Sequence, residues 1–197
     1  MKRKLALAAA SALGFFATPA LAQENAQPVA QDDHSGFYAG GGINLYFIDK
    51  DDAADGMGIT FEDQPSPGAF VGRLGYAFNE YVAIEVEAGI GGARSEFEGP
   101  GIEGEIGAAA PLGAHVAFTM PVSEGGGYLL GRLGYSSVTI EREMNGVEYE
   151  DLDISGASFG IGGGVRSGSW DLRAEYNFMS GGDANSGVLG FFALHRF

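Results

Sequence analysis

The stretch that decides the fold is GVLGFFALHRF, residues Gly187 to Phe197. Successive side chains of a β-strand point to opposite faces, so residues two apart share a face. One face would carry Phe197, His195, Ala193, Phe191 and Leu189. The opposite face would carry Arg196, Leu194, Phe192, Gly190 and Val188. The stretch therefore predicts a β-strand with one apolar face, although on its own it also fits a buried strand that ends a soluble domain.

The composition narrows the choice of fold. A chain of 197 residues is expected to form one domain. It contains 34 glycines and 12% aromatic residues, and glycine costs about 1 kcal/mol at each helical position. This composition disfavours a helical protein. Cysteine is absent, which excludes disulfides and thiolate metal sites.

The N-terminal region has the pattern of a secretory signal peptide. Lys2, Arg3 and Lys4 precede an apolar run over residues 5–16, and an Ala-Leu-Ala sequence ends the segment before Gln23. The run is shorter than the roughly 20 residues that a spanning helix needs. We therefore predict a cleaved signal at residues 1–22, a flexible periplasmic leader at 23–35, and one domain at 36–197. Losing the signal removes three positive charges from a chain whose net charge is already −15.

The alternation of apolar and polar residues predicts eight strands. They cover residues 36–48, 68–78, 81–90, 102–120, 128–140, 154–166, 170–178 and 187–197. Long connections, two of them acidic (49–67 and 141–153), alternate with short turns, and the last long connection is a loop at 180–186. Asn145-Gly146 is a turn signal. Pro111 cannot donate to a sheet ladder, so it predicts a bulge or register change, and the face assignment on either side of it is made separately.

Several segments resemble strands of known membrane barrels. Gly72-Arg73-Leu74-Gly75-Tyr76 recurs unchanged as residues 131–135, and the sequence ends on Phe197 after a strand of about ten residues. Residues 36–197 resemble eight-stranded outer-membrane β-barrels of the porin superfamily, the group of the OmpA transmembrane domain and the opacity proteins. His195 departs mildly from the family, which more often has an aromatic residue there.

The resemblance implies an all-β fold, an eight-stranded antiparallel up-and-down transmembrane β-barrel in the cell outer membrane. It implies short periplasmic turns, longer outer loops, and a last strand that pairs with the first. It also implies that Phe197 is an assembly signal read by the barrel assembly machinery.

One face of the predicted strands carries charges that cannot face hydrocarbon. A Lys or Arg on the lipid side at mid-bilayer costs about 2–4 kcal/mol. The charged face must therefore line the interior, where it predicts an ion-pair network of Arg73, Glu85, Glu87, Arg132, Arg173 and Glu175. An eight-stranded barrel is just wide enough for side chains to fill. The interior glycines Gly40, Gly42, Gly160, Gly162 and Gly164 would leave room for water, which keeps a gated pore open as an alternative.

Catalytic, cofactor and metal sites are not predicted. His34 lies in the leader, His115 is expected to point inward as a hydrogen-bonding residue, and Ser136 and Ser137 have no base evident from the sequence. Residues 49–56 have some acidic spacing of a calcium loop, but Ala53 stands at a ligand position. A solvated acidic loop is the preferred interpretation.

The sequence therefore predicts a non-enzymatic outer-membrane protein with an envelope-structural role and a surface-interaction role through acidic outer loops. The expected partners are outer-membrane lipid and lipopolysaccharide, the assembly machinery, and host or envelope proteins that meet the outer loops. The net negative charge argues against nucleic acid. The alternatives are a narrow or gated pore for small solutes or ions, and a lipid A-modifying enzyme, which shares only the strand count.

Overall fold

The computed structural model describes residues 35–54, 64–99, 102–182 and 184–197. In chain order the elements are β1 (Gly36–Ile48), α1 (Lys50–Ala54), β2 (Gly68–Ala77), β3 (Val82–Gly91), β4 (Ser95–Gly99), β5 (Ile102–Pro121), β6 (Gly127–Met144), β7 (Val147–Glu148), β8 (Leu152–Ser167), β9 (Trp170–Gly182) and β10 (Ala184–Arg196). The predicted signal peptide, and the predicted leader apart from Ser35, lie outside the described residues.

Eight antiparallel strands close into a barrel. Going round the ring, β1, β2, β3, β5, β6, β8, β9 and β10 each pair with the next, and β10 returns to pair with β1. The closing ladder runs from Tyr38 opposite Arg196 to Ile48 opposite Ser186. The predicted eight-stranded antiparallel barrel, closed by the last strand on the first, is confirmed.

The two short strands extend the barrel wall beyond one rim. β4 pairs with the first part of β5, and β7 pairs with the end of β6. Together with residues 102–109 of β5 and 138–144 of β6, they form a four-stranded extension that we call the rim sheet. It stands at the long-loop end of the barrel, opposite the short turns that follow β2, β5 and β8.

The wall alternates as a membrane barrel requires. Apolar residues on the outward face are widely exposed, for example Ile161 at 71% and Leu133 at 57%. The neighbouring positions point inward and are buried, including Arg132 at 1% and Glu85 at 2%. None of the described helical residues forms a helix with the length and apolarity to cross a membrane.

Pro111 lies beside a break in the β5 ladder. The pairing of β5 with β6 shifts register between Ala109 and Leu112, and Ala110 has a φ of 46°. Across this bulge the even-numbered residues change face, because Ile106 is fully buried whereas Leu112 is 55% exposed. An extra residue in one strand reverses the face of everything beyond it. The predicted register change is confirmed.

Several predicted loops are shorter than expected. The Asn145-Gly146 turn is confirmed, with φ of 51° and 75°, and it joins β6 to β7 inside the acidic segment. The loop at residues 91–101 contains β4, which the sequence did not reveal. The long loop at 180–186 is wrong, because β9 runs to Gly182 and β10 begins at Ala184. Positive φ at Gly181 and Gly182 lets the chain reverse over very few residues.

The acidic segment after β1 is also more ordered than a solvated loop. Asp49 immediately precedes α1, and its Oδ1 accepts a hydrogen bond from the Asp51 backbone N–H at 2.9 Å. Ala53 is completely buried at the long-loop end of the barrel. Arg142 donates to the Ala53 carbonyl at 3.3 Å and to the Glu150 carbonyl, so it ties α1 to the segment after β7. Residues 50–54 therefore form a short helix and not a loop, while the side chains of Asp49 and Asp51 are exposed to solvent.

Candidate functional site

The six charged residues predicted for the interior meet in the lumen, where we call them the lumen cluster: Arg73, Glu85, Glu87, Arg132, Arg173 and Glu175. They come from β2, β3, β6 and β9. The register in which these strands pair places all six side chains on the inward face. The side chains of all three arginines are at most 2% exposed. Three cations face three anions, so the cluster is neutral as a whole.

Glu175 and Glu87 hold two arginines between them. Arg73 donates to both oxygens of Glu175, at 3.0 and 2.6 Å, and to Glu87 Oε2 at 2.7 Å. Arg132 donates to Glu175 Oε1 at 2.5 Å and to Glu87 Oε2 at 3.0 Å. Each carboxylate therefore binds two guanidinium groups, the charge-assisted geometry that compensates best for burial.

Glu85 joins this group to a second one around Arg173. Its Oε1 accepts from Arg173 Nη1 at 2.5 Å and from the Tyr38 hydroxyl at 2.6 Å. Arg173 also donates to Asp171 at 3.1 Å and to the Tyr128 hydroxyl at 2.9 Å. The Tyr128 hydroxyl in turn donates to Asp171 at 2.5 Å. Arg132 Nε lies 3.0 Å from Glu85 Oε2, which connects the two groups electrostatically without an aligned hydrogen bond.

Glycines stand directly opposite the members of the lumen cluster. The cross-strand partners of cluster residues are Gly40 for Arg73, Gly75 for Glu85, Gly113 for Glu87, Gly160 for Arg132, Gly164 for Arg173, and Gly162 and Gly190 for Glu175. A Cβ at Gly113 would lie 2.9 Å from the Glu87 side chain. These glycines clear space that the charged side chains occupy.

The five glycines expected to leave water-filled gaps lie close to atoms of the neighbouring strands. A Cβ at Gly42 would lie 2.6 Å from the Phe192 ring, one at Gly162 would lie 2.9 Å from the Glu175 Cβ, and one at Gly164 would lie 2.5 Å from the Tyr128 hydroxyl. A Cβ at Gly160 would overlap the Asn177 amide, and one at Gly40 would overlap the Ala193 carbonyl oxygen. A neighbouring strand therefore occupies the position that a side chain would take at each of these glycines, and the water-filled gaps stay a prediction.

His115 points inward, as the sequence predicted. Arg132 Nη2 donates to His115 Nδ1 at 2.8 Å, and His115 Nε2 lies 3.0 Å from Ser136 Oγ and 2.9 Å from Ser158 Oγ. A guanidinium can only donate, so Nδ1 accepts and the proton of the neutral ring is on Nε2. Nε2 therefore donates to a serine and cannot take a proton from one. The pair lacks the general base that an activated serine needs.

Several partners of the lumen cluster were not predicted. Besides His115, the residues Tyr38, Tyr128 and Asp171 complete its hydrogen bonds, and the Arg73 guanidinium stacks 3.6 Å from the centre of the Phe192 ring. Tyr38 and Asp171 stand on the polar faces of their strands in the sequence. That alternation places them inward, but it does not show which charge each one meets.

The rim sheet carries a row of glutamates. Glu96 stands directly opposite Glu105, Glu105 opposite Glu143, and Glu143 opposite Glu148, so the row crosses all four strands on one face. We call these four residues the glutamate ladder. Directly opposed like charges destabilise a sheet. Within the described part of the chain, Arg94 is the cation on this face, and it pairs with Glu105 at 2.5 Å and Glu141 at 3.1 Å.

An open cleft of about 310 Å³ runs along the ladder. It is lined by Glu96, Phe97, Glu103, Gly104, Glu105, Glu143, Asn145 and Gly146. Among the described residues, no three His, Cys, Asp or Glu side chains are arranged to hold a metal ion. The cleft is thus an acidic surface with one aromatic wall.

Comparison with protein families identifies the chain. The model of the outer membrane protein beta-barrel domain matches residues 8–197. The chain belongs to this outer-membrane β-barrel family. The protein accordingly resides in the cell outer membrane. In barrels of this kind the longer loops lie on the outer side and the short turns on the periplasmic side. A search of curated proteins finds no match.

Solved structures of other outer-membrane β-barrels share the fold. Neisserial surface protein A is 15% identical with a TM-score of 0.57, and the match covers 83% of this chain and 98% of that one. The Yersinia pestis attachment invasion locus protein Ail, solved with the heparin analogue sucrose octasulfate, is 19% identical with a TM-score of 0.51, over 83% and 97%. The N-terminal barrel of Pseudomonas aeruginosa OprF is 13% identical with a TM-score of 0.53, over 85% and 100%. At these identities the likeness is one of fold.

The assembly signal expected at Phe197 lies at the short-turn end of this outer-membrane β-barrel. The His195 ring stacks edge-on between Trp170 and Phe197, with centroids 5.1 Å from each. Phe197 is 81% exposed. His195 thus takes the packing position of an aromatic residue, and the role of Phe197 as an assembly signal stays a prediction.

Proposed function

We propose that the protein is a non-conducting, non-enzymatic outer-membrane barrel that displays an acidic binding surface, the rim sheet, to cationic partners outside the cell. The glutamate ladder carries this proposal. Four carboxylates in direct register repel one another, and a cationic partner would relieve that repulsion. A protein or peptide with clustered Lys or Arg side chains has the complementary charge, and Phe97 offers an apolar contact within the cleft.

The structural part of the role rests on the filled lumen. Each of the eight barrel strands contributes a side chain to this interior. The lumen cluster comes from β2, β3, β6 and β9. The cluster is contacted by Tyr38 of β1, His115 of β5 and Phe192 of β10, and Ser158 of β8 contacts His115. Arginines that bridge two carboxylates bind opposite walls together. Such an interior supports a barrel that anchors its rim sheet rigidly and does not conduct.

Binding of a cationic probe tests the surface role. The reconstituted protein is titrated with fluorescent oligolysine, beside a variant with Glu96, Glu105, Glu143 and Glu148 all changed to Gln. We expect the variant to bind at least tenfold more weakly. We also expect wild-type binding to fall steeply with salt, because the Debye length shrinks from about 8 Å at physiological ionic strength to about 3 Å at 1 M.

The matched control is Glu124→Gln on the turn between β5 and β6, at the periplasmic end, which should bind the probe as the wild type does. Neutralising the ladder removes repulsion, so the fourfold variant is expected to fold at least as stably as the wild type. Equal binding by the fourfold variant and the wild type would refute the surface role.

Planar-bilayer conductance tests the closed lumen. Protein shown to be folded by heat-dependent gel mobility should give a silent bilayer, because the arginines and carboxylates fill the lumen. The Arg73→Ala and Arg132→Ala variants are measured in parallel. Discrete wild-type channels whose conductance changes in these variants would overturn the proposal and make transport the working function.

A further inference from the structure

Three neighbouring strands reverse their inside–outside pattern part-way along their length. In the half of β6 and β8 near the short turns, large apolar residues point outward, as Leu133 and Phe159 do at 57% and 55% exposure. In the half near the rim sheet, apolar residues of β5, β6 and β8 point inward instead. Ile106, Ile140 and Ile154 are all completely buried there.

The outward face reverses in the opposite sense. Along β6 towards the rim sheet, the outward residues are Leu133, Tyr135, Ser137, Thr139 and Glu141. Along β8 in the same direction they are Phe159, Ala157, Ser155 and Asp153. Thr139 Oγ1 donates to Asp153 Oδ1 at 2.9 Å across the outside of the wall. A surface that is apolar near the short turns thus becomes polar towards the rim.

The three reversal points adjoin one another in the sheet. Ser137 on β6 stands opposite Leu112 on β5 and opposite Ser155 on β8. Two ladders of the barrel wall shift register among the described residues, and both shifts fall at this line. One lies between Ala109 and Leu112, where β5 pairs with β6, and the other between Ile154 and Ala157, where β8 pairs with β9.

The strands reverse their inward and outward faces in two different ways. β5 keeps its apolar residues at even positions and reverses the face by inserting Ala110 into the backbone. β6 keeps an unbroken pairing with β8 and instead changes the phase of its sequence, from apolar odd positions at Leu133 and Tyr135 to apolar even positions at Val138 and Ile140. β5 and β6 reverse their faces by different means at the same line. This coincidence indicates that the surroundings of the barrel change at that line.

Membrane barrels are apolar outside and polar inside, whereas β-structure that stands in water buries its apolar face. We propose that the acyl-chain-contacting surface of β5, β6 and β8 ends at the line through Leu112, Ser137 and Ser155. Beyond it stands an extramembrane tier that contacts water and polar head groups and is built on its own apolar core. This core includes Ile106, Val138, Ile140, Leu152, Ile154 and the Ala53 face of α1.

The tier is tall enough to hold the glutamate ladder away from the lipid. Residues 138–144 of β6 extend on the order of 20 Å along the strand beyond the line, at about 3.4 Å per residue. The inference depends on burial and register alone and stands whether or not the glutamate ladder binds cations.

Depth-dependent quenching of single labels tests the line. The chain has no cysteine, so one Cys can be placed at Leu133, Ser137, Thr139 or Glu141 and labelled with a fluorophore. Each variant is reconstituted in vesicles with nitroxides on the acyl chains, and separately exposed to aqueous iodide. The label at residue 133 should be quenched several-fold more by nitroxide than by iodide. Labels at 139 and 141 should show the reverse, with the crossover within two residues of 137.

A second scan on β8 keeps the test independent of one strand. Labels at Phe159 and Asp153 should fall on the lipid side and the water side, respectively. Heat-dependent gel mobility confirms that each variant is folded before its quenching is measured. Strong nitroxide quenching of the labels at both Glu141 and Asp153, equal to that at Leu133 and Phe159, would overturn the proposal. A crossover from nitroxide to iodide quenching at the rim end of β6, instead of near Ser137, would also overturn it.

Discussion

Glu175 is the residue on which the lumen cluster depends most directly. It accepts two hydrogen bonds from Arg73, one from Arg132 and one from the Asn177 amide at 3.2 Å, and it is 2% exposed. Glu175→Gln keeps the shape but removes the charge, leaving two buried guanidinium groups with a poorer acceptor. We expect a loss of about 3–5 kcal/mol in the free energy of unfolding, because breaking a buried ion pair leaves uncompensated charge. Urea unfolding in lipid vesicles measures it.

The matched control is Glu105→Gln on the rim sheet. Glu105 also pairs with an arginine, Arg94, at 2.5 Å, but both side chains are partly exposed. Exposed pairs contribute about 0–1 kcal/mol, so this variant should unfold near the wild-type midpoint. Equal losses in the two variants would contradict the view that burial makes the lumen cluster important.

The glycines opposite the cluster give a second residue-scale prediction. A Cβ at Gly75 would overlap the Tyr38 ring and lie 2.6 Å from its hydroxyl oxygen, which donates to Glu85. We expect Gly75→Ala to lower the free energy of unfolding by about 1–3 kcal/mol, the usual cost of overpacking. Gly131→Ala is the control, because a Cβ there meets nothing within 4 Å. A Gly75→Ala variant as stable as the control would show that Tyr38 moves aside without cost.

Alternation in the sequence predicts the lumen cluster at the level of faces but not of contacts. Charged residues at every second position must avoid lipid, so all six could be assigned to the interior. Which arginine meets which carboxylate depends on the stagger of strands around the closed barrel, as the contact of Arg73 in β2 with Glu175 in β9 shows. The atoms that lie beside each inward glycine depend on the same stagger, so the sequence does not show which neighbour approaches it.

At the scale of elements, the β5 bulge allows a direct test of how the extramembrane tier is built. Deleting Ala110 removes the extra residue, so residues 102–109 would reverse face. Ile106 and Ala108 would then turn to water, and Glu105 would turn to the core. We expect the rim sheet to become sensitive to trypsin in intact vesicles, with cleavage at least tenfold faster than in the wild type.

Pro111→Ala is the length-preserving control for this deletion. It retains the extra residue and the register shift, so the rim sheet should stay resistant to trypsin. Heat-dependent mobility should persist in both variants, because the membrane part of the barrel keeps its pairing. A deletion variant as resistant as the wild type would mean that β5 restores its face without the bulge.

The elements differ in how far their sequences reveal them. Strict alternation in the sequence predicts that β1 covers Gly36–Ile48, and the structure has the same bounds. β4 and α1 were not predicted. Each has only five residues and lacks a sequence pattern of its own. β4 is stabilised by pairing with β5, and α1 is stabilised by packing at the barrel mouth. The proline signalled the bulge in β5. The change of phase in β6 was not predicted, because Ser136 and Ser137 are compatible with either face of the strand.

At the scale of the whole molecule, charge and apolarity are arranged along the barrel axis. The apolar outward band surrounds the neutral lumen cluster, and the carboxylates of the glutamate ladder stand beyond the line through Leu112, Ser137 and Ser155. A barrel so divided resists displacement along the membrane normal. Moving it inward would bring Glu141 and Asp153 into hydrocarbon, and moving it outward would expose Leu133 and Phe159 to water.

The position of the membrane boundary predicts opposite tolerance of one substitution at two sites on the same face of β6. Leu133→Arg places a charge in the lipid-facing band and should cost about 2–4 kcal/mol, falling towards 0–1 kcal/mol near the interface. Thr139→Arg, six residues further along the strand, places the same side chain in the extramembrane tier. There it meets Asp153, whose carboxylate accepts from the Thr139 hydroxyl in the wild type, so the variant should remain within about 0.5 kcal/mol of wild type. Reversible urea unfolding in vesicles measures both, and Thr139→Val controls for loss of the hydroxyl bond alone. Because the two arginine variants share strand, face and chemistry, equal costs would place residues 133 and 139 in the same surroundings, and the division of the barrel into a membrane part and an extramembrane tier would fail.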